Sequence, residues 1–120
     1  MEPFVVFDHV QLAMPPGEEQ RARTFYTGTL GMVEIPKPEE LRARGGAWFA
    51  SGSVQLHLGV EPEFVAAKKA HPALRCADLA ALRVHLAEAG CEITEGGTFE
   101  DGNAHVYVTD PFGNRIELIG

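Results

Sequence analysis

The chain has 120 residues, of which 45% are hydrophobic and 22% charged, and a formal net charge of −7. That is the size and composition of one globular domain; it lacks the clustered Lys and Arg of a nucleic-acid or anionic-membrane partner and any apolar run near the roughly 20 residues of a membrane span. Met1-Glu2-Pro3 lacks the basic start of a signal peptide, and the two cysteines, Cys76 and Cys91, form no Cys-x-x-Cys pair, so a cytoplasmic protein with buried thiols is expected.

In chain order, the first predicted strand runs from Phe4 to Met14 and is stopped by Pro15-Pro16-Gly17. Alternation puts His9 and Gln11 together on one face, with Val10, Leu12 and Met14 on the other. Glu18 and Glu19 suit the first turn of a helix, Ala22, Phe25, Tyr26, Thr29 and Leu30 recur at helical spacing, and Gly31 closes it. A short strand, Met32 to Ile35, leads through Pro36-Lys37-Pro38 into an irregular or briefly helical stretch ending at Gly45-Gly46. A hairpin follows, Ala47 to Ala50 and Val54 to Val60, joined by Ser51-Gly52-Ser53. Val54, Leu56 and Leu58 share one face of its second strand, which leaves Gln55 and His57 on the other. The polar stretch from Glu61 to Ala70 connects two halves.

The second half repeats the plan. His71 to Cys76 reads as a strand, Asp78 as a helix N-cap, and Leu79, Leu82, Leu86 and Ala89 as an apolar stripe ended by Gly90. Cys91 to Thr94 is a short strand and Gly96-Gly97 a loop. The last two strands, Val106 to Val108 and Ile116 to Ile119, flank the turn Asp110-Pro111-Phe112-Gly113. Each half is strand, helix, then three strands, and the polar residues repeat with it: His9 to Gln55 is 55 − 9 = 46 positions, and His71 to Glu117 is 117 − 71 = 46. The expectation is an α+β domain, 1–120, built from two tandem βαβββ modules of about 4–60 and 71–119. Their curved, mixed sheets would form a cup with the helices packed outside.

Glu117 is a carboxylate in the middle of an apolar strand, so its face is solvated or it meets a cation. Superposing the halves places His9 with His71 and Gln55 with Glu117. Two imidazoles, a carboxylate and an amide oxygen suit one divalent metal per site, Fe, Mn, Ni, Co or Zn, with positions left open. Ordinary readings compete: a salt bridge from Glu117 to Arg75 or Arg115, hydrogen bonding for His9, His71 and Gln55, packing for Trp48, a structural His105 and a surface His85.

Phe25-Tyr26 followed by Leu30-Gly31-Met32, the strand Val54-Gln55-Leu56-His57-Leu58, and the ending from Asp110 to Leu118 resemble the vicinal-oxygen-chelate superfamily of glyoxalase I, extradiol dioxygenases, and fosfomycin-resistance and bleomycin-binding proteins. The resemblance spans Phe4 to Ile119. It implies His9, His71 and Glu117 as metal ligands, Gln55 in a fourth ligand position, a homodimer, and a small-molecule substrate chelated to the metal through adjacent oxygens. Glyoxalase I is expected to carry glutamate where this chain has Gln55, and an amide cannot take a proton at neutral pH. His57 then becomes a candidate base or replacement ligand, alongside Glu117 as a catalytic group. Gln11, Trp48 and Arg75 are candidate substrate contacts, Arg75 as a clamp for an anion. The implied activity is lyase, isomerase or dioxygenase chemistry; the alternative is a metal-free drug- or metabolite-binding protein of the bleomycin-resistance type.

Overall fold

The computed structural model describes residues 1–120 throughout, and the chain divides into two units, Met1–Phe64 and Val65–Gly120. In the first, β1 (Val10–Met14), β2 (Val33–Ile35), β3 (Ala47–Ser51) and β4 (Val54–Val60) form a sheet in the order β1-β4-β3-β2. β1 runs parallel to β4, and the other neighbours are antiparallel. Between β1 and β2 lies α1 (Glu19–Arg23), which widens into a π-helical segment, Thr24–Thr29; a short α2 spans Glu39–Arg42. The wide turn is closed by Leu30 N donating to Phe25 O at 2.8 Å, five residues back. Gly31, at φ +74°, then reverses the chain in the left-handed region that suits glycine. Ala22, Phe25 and Tyr26 are buried with Phe49, Leu56, Leu58 and Met14, and Tyr26 stacks on Phe49 with centroids 5.1 Å apart.

The strand expected from Phe4 begins only at Val10. Its partner explains why: Val10 lies opposite Leu56, and β4 starts at Val54. Continuing that register backwards reaches the Ser51-Gly52-Ser53 turn by Phe7, so nothing remains for the earlier residues to pair with. Phe4, Val5, Val6 and Phe7 are 84–97% exposed.

The second unit repeats the topology, with β5 (Ala73–Arg75), α3 (Leu79–Glu88), β6 (Thr94–Thr98), β7 (Ala104–Thr109) and β8 (Arg115–Ile119). Its sheet order is β5-β8-β7-β6, with β5 parallel to β8. Asp78 caps α3 by accepting from Ala81 N at 3.0 Å, as its sequence position suggests. Leu79 and Leu86 from α3 are buried with Val106, Val108, Ile116 and Leu118. Arg83 on the same helix donates twice to the Glu95 carboxylate on β6, at 2.7 and 3.1 Å.

Three expectations change here. The first strand is Ala73–Arg75 rather than His71 to Cys76, and the second is Thr94–Thr98 rather than Cys91 to Thr94. Gly96-Gly97 is not a loop but a register shift inside β6. The His105 ring lies against Gly96 so closely that any Cβ there would collide with it. The turn before β8 is built around Asp110, whose Oδ1 accepts from Phe112 N (2.9 Å) and Asn114 N (2.8 Å), while its Oδ2 accepts from Asn114 Nδ2 (2.8 Å). Gly113, at φ +93°, supplies the conformation that brings the chain round. The architecture is α+β, in two tandem βαβββ modules, and no helix is long and apolar enough to cross a membrane.

Candidate functional site

On the first sheet, register determines which polar groups meet. Gln11 lies opposite His57 across β1 and β4, and Trp48 lies opposite His57 across β3 and β4. The side chains share the face turned away from Leu56, Leu58 and Phe49. His57 is sandwiched there: its ring stacks on Trp48 at 4.0 Å and 7°, and on His9 at 4.0 Å and 12°. With only 3% of its surface exposed, His57 has its pKa pushed below the ordinary histidine value, first by burial and then by the neighbouring His9. A neutral ring has one N–H, and Nε2 donates it to Gln55 Oε1 at 2.9 Å. His57 therefore fixes the amide oxygen of Gln55 with one edge and the plane of His9 with one face. His9 pairs through Nδ1 with Asp8 Oδ1 at 2.8 Å, which leaves Nε2 as its nitrogen for a ligand. Gln11 reaches across Gly59, where a Cβ would collide with its amide.

The second unit brings His71 and Glu117 together. His71 Nε2 is 2.8 Å from Glu117 Oε1, and His71 Nδ1 is 2.8 Å from Lys69 O. Because a backbone carbonyl only accepts, Nδ1 carries a hydrogen, and Nε2 is the nitrogen aimed at the carboxylate. Tyr107, opposite Glu117 across β7 and β8, meets both His71 (5.5 Å) and His105 (5.7 Å) with the rings nearly perpendicular. The arginines that could have neutralised Glu117 are placed otherwise. Arg115 lies over the Tyr107 ring at 3.9 Å, and Arg75 donates to Gly120 O at 2.9 Å. The competing reading, a bridge from Glu117 to Arg75 or Arg115, thus gives way to the pair with His71.

Site candidates fall into two groups, His9, Gln11, Trp48, Gln55 and His57 on one sheet and His71, Arg75 and Glu117 on the other. Within neither unit do three His, Cys, Asp or Glu side chains lie so that they could together hold a metal ion. The donor types nevertheless fit a divalent metal. Each of His9 and His71 has Nδ1 engaged by an oxygen, the arrangement that directs Nε2 at a metal, and Glu117 and Gln55 offer oxygens. Sequence reasoning missed Asp8, the Lys69 carbonyl and Tyr107 as supports. Only the Asp8-His9 dipeptide carried a readable hint.

Two mixed four-stranded sheets from tandem βαβββ modules, each bearing a His and an oxygen donor 46 positions apart, define a paired-module α+β protein. The family model for the Glyoxalase/Bleomycin resistance protein/Dioxygenase superfamily matches residues 6–118, and the chain belongs to that superfamily. A crystal structure of a protein from Bacillus anthracis assigned to the glyoxalase family is 46% identical, with a TM-score of 0.93 over 99% of this chain and 98% of that one. A glyoxalase/dioxygenase from Nostoc punctiforme is 25% identical, with a TM-score of 0.77 over 98% and 92% of the two chains. A glyoxalase/bleomycin resistance protein from Streptomyces sp. CB03234, at 21% identity and a TM-score of 0.71 over 93% and 99%, shares the fold. Among curated proteins no match is found.

Proposed function

We propose that the chain is a metal-dependent, glyoxalase-like enzyme acting on a small oxygenated substrate. His71 and Glu117 are the proposed metal-holding residues of the second unit, and His9 and Gln55 the proposed donors of the first. The observation that carries this reading is the His71–Glu117 contact. An imidazole whose Nδ1 is already committed to a carbonyl turns Nε2 toward a carboxylate, with both arginines drawn elsewhere. A divalent metal would supply Lewis acidity to adjacent substrate oxygens. The chain's own residues supply the rest. Glu117 is the only carboxylate among these donors and the group able to accept a substrate proton at Oε. His57 keeps Gln55 Oε1 and the His9 ring in place, and Trp48 closes the stack behind them. Gln11 and Arg75 are proposed substrate contacts, and a homodimer is the proposed assembly.

Metal content by mass spectrometry on protein purified without an affinity tag, together with His71→Ala and Glu117→Ala variants, tests the proposal. Near-stoichiometric metal that both variants lose supports it; no metal after reconstitution overturns it. A second reading, a binding protein for a planar metabolite or drug, is favoured by the aromatic and imidazole stacks on both sheets. Ligand binding undiminished in the metal-free protein would select it.

A further inference from the structure

Most arginines of this chain have an oxygen partner. Arg21, Arg23 and Arg83 pair with the carboxylates of Glu18, Glu34 and Glu95, and Arg42 and Arg75 donate to the carbonyls of Lys37 and Gly120. Arg44 is exposed to solvent. Arg115 is different: it is half-buried on β8, its guanidinium lies over the Tyr107 ring at 3.9 Å, and no oxygen of the chain takes its N–H groups. A cation over an aromatic face is held in place while its hydrogen bonds stay unspent. Those of a guanidinium form a fork that matches a carboxylate. Arg115 and Glu117 are two apart on β8 and so share a face, opposite the buried Ile116 and Leu118. Across β7 and β8, Tyr107 lies opposite Glu117, and the exposed Thr109 lies opposite Arg115 and offers a hydroxyl donor. The Tyr107 ring therefore links the two groups, with His71 at 5.5 Å and Arg115 at 3.9 Å.

We infer that Arg115 is a specificity residue that takes a carboxylate, and that the substrate is a small carboxylic acid carrying its adjacent oxygens next to the acid group. The inference rests on the site proposed above for where the adjacent oxygens go; the anion subsite stands on Arg115 and Tyr107 alone. Size follows from the shared ring. Guanidinium and imidazole are no farther apart than their two distances to Tyr107 together. Allowing about 3 Å for a guanidinium–carboxylate contact and about 2 Å for a metal bond at the imidazole leaves room for a skeleton of only a few carbons. Charge follows from the neighbours. One guanidinium beside the Glu117 carboxylate, in a chain of net charge −7, suits a monoanion; a phosphate dianion would be left short of positive charge.

The test is an NMR shift titration of the full chain, metal-free and metal-reconstituted, with glycerate, its neutral amide glyceramide, and glycerol 3-phosphate as probes. Wild type is expected to bind glycerate roughly 10- to 100-fold more tightly than glyceramide, and more tightly than glycerol 3-phosphate. Arg115→Gln should lose most of that preference by weakening glycerate alone. Arg115→Lys, which keeps the charge but not the fork, should retain part of it. Arg83→Gln removes the same charge from an arginine already paired with Glu95 and should leave the preference unchanged. Circular dichroism should match wild type in all three variants. Tighter binding of glycerol 3-phosphate, a preference that survives Arg115→Gln, one lost equally in Arg83→Gln, or no binding of any probe would each overturn the inference. Failure of the metal reading looks different: added metal then tightens neither glycerate nor glyceramide, while the effect of Arg115→Gln remains.

Discussion

His71 Nε2, two residues ahead of the first strand of the second unit, and Glu117 Oε1, on its last strand, lie 2.8 Å apart, with side-chain exposures of 21% and 11%. A pair this sheltered is weak evidence of stability for its own sake, because desolvating both partners offsets most of their attraction. Glu117→Gln, which preserves shape and removes charge, is therefore expected to leave the fold intact. Metal affinity should fall by more than the roughly 10- to 100-fold that changes in supporting residues cost. Isothermal titration with the metal recovered from the wild-type protein measures the loss.

His57→Phe keeps an aromatic ring between Trp48 and His9 but removes the hydrogen bond to Gln55. Metal affinity should drop roughly 10- to 100-fold, with a Tm close to wild type at neutral pH. The variant should also change the acid response. Burial lowers the His57 pKa from 6.5, so the unfolded chain takes up a proton that the folded chain refuses. The stability contributed by neutral His57 is complete above about pH 6.5 and is lost as pH falls toward its folded value. A plot of Tm against pH below 6.5 should consequently be flatter in His57→Phe.

Gly96 and Gly59 each lie beneath a polar side chain, yet they should respond differently to alanine. At Gly96 the obstacle is the His105 ring, 8% exposed, stacked on Phe99 at 4.1 Å and held edge-on to Tyr107. Gly96→Ala must push that ring aside and is expected to cost about 1–3 kcal/mol. At Gly59 the obstacle is the end of the flexible, exposed Gln11 side chain. Gly59→Ala should be nearly neutral in a denaturant titration while redirecting Gln11, so an altered KM with unchanged stability is the expected outcome.

Asp110 is 4% exposed and satisfies two backbone N–H groups and the Asn114 amide. Asp110→Ala strands buried donors at the entrance to β8 and should cost roughly 3 kcal/mol. Because β8 carries Glu117, metal affinity should fall with it. Recovery of affinity but not of Tm at low temperature would show that the turn acts only through the fold.

The duplicated plan was legible because it rests on local chemistry: alternation in Val54 to Leu58, the Asp78 cap, the Gly31 and Gly90 stops and the Asp110 turn each act within a few residues. What sequence could not supply was information about partners. Nothing in Phe4 to Phe7 says that β4 begins too late to pair with it, and Gly96-Gly97 reads as punctuation until His105 is seen against it. Candidate residues followed the same division. His71 and Glu117 could be matched through the 46-residue repeat, whereas the Trp48–His57–His9 stack exists only once three strands are in register. Arg75 and Arg115 are turned from Glu117 by a backbone carbonyl and a tyrosine face, neither of which spacing along the chain could reveal.

In each unit the first strand pairs in parallel with the last, Val10 with Leu56 and Ala73 with Glu117. Such closure brings together residues more than forty positions apart, so a unit gains its sheet late, when its final strand arrives. During synthesis the first unit becomes complete once Val60 has emerged, before the second has any of its strands. Folding is thereby set to proceed in two successive acts, each slow for its size because its closing contacts are so distant along the chain.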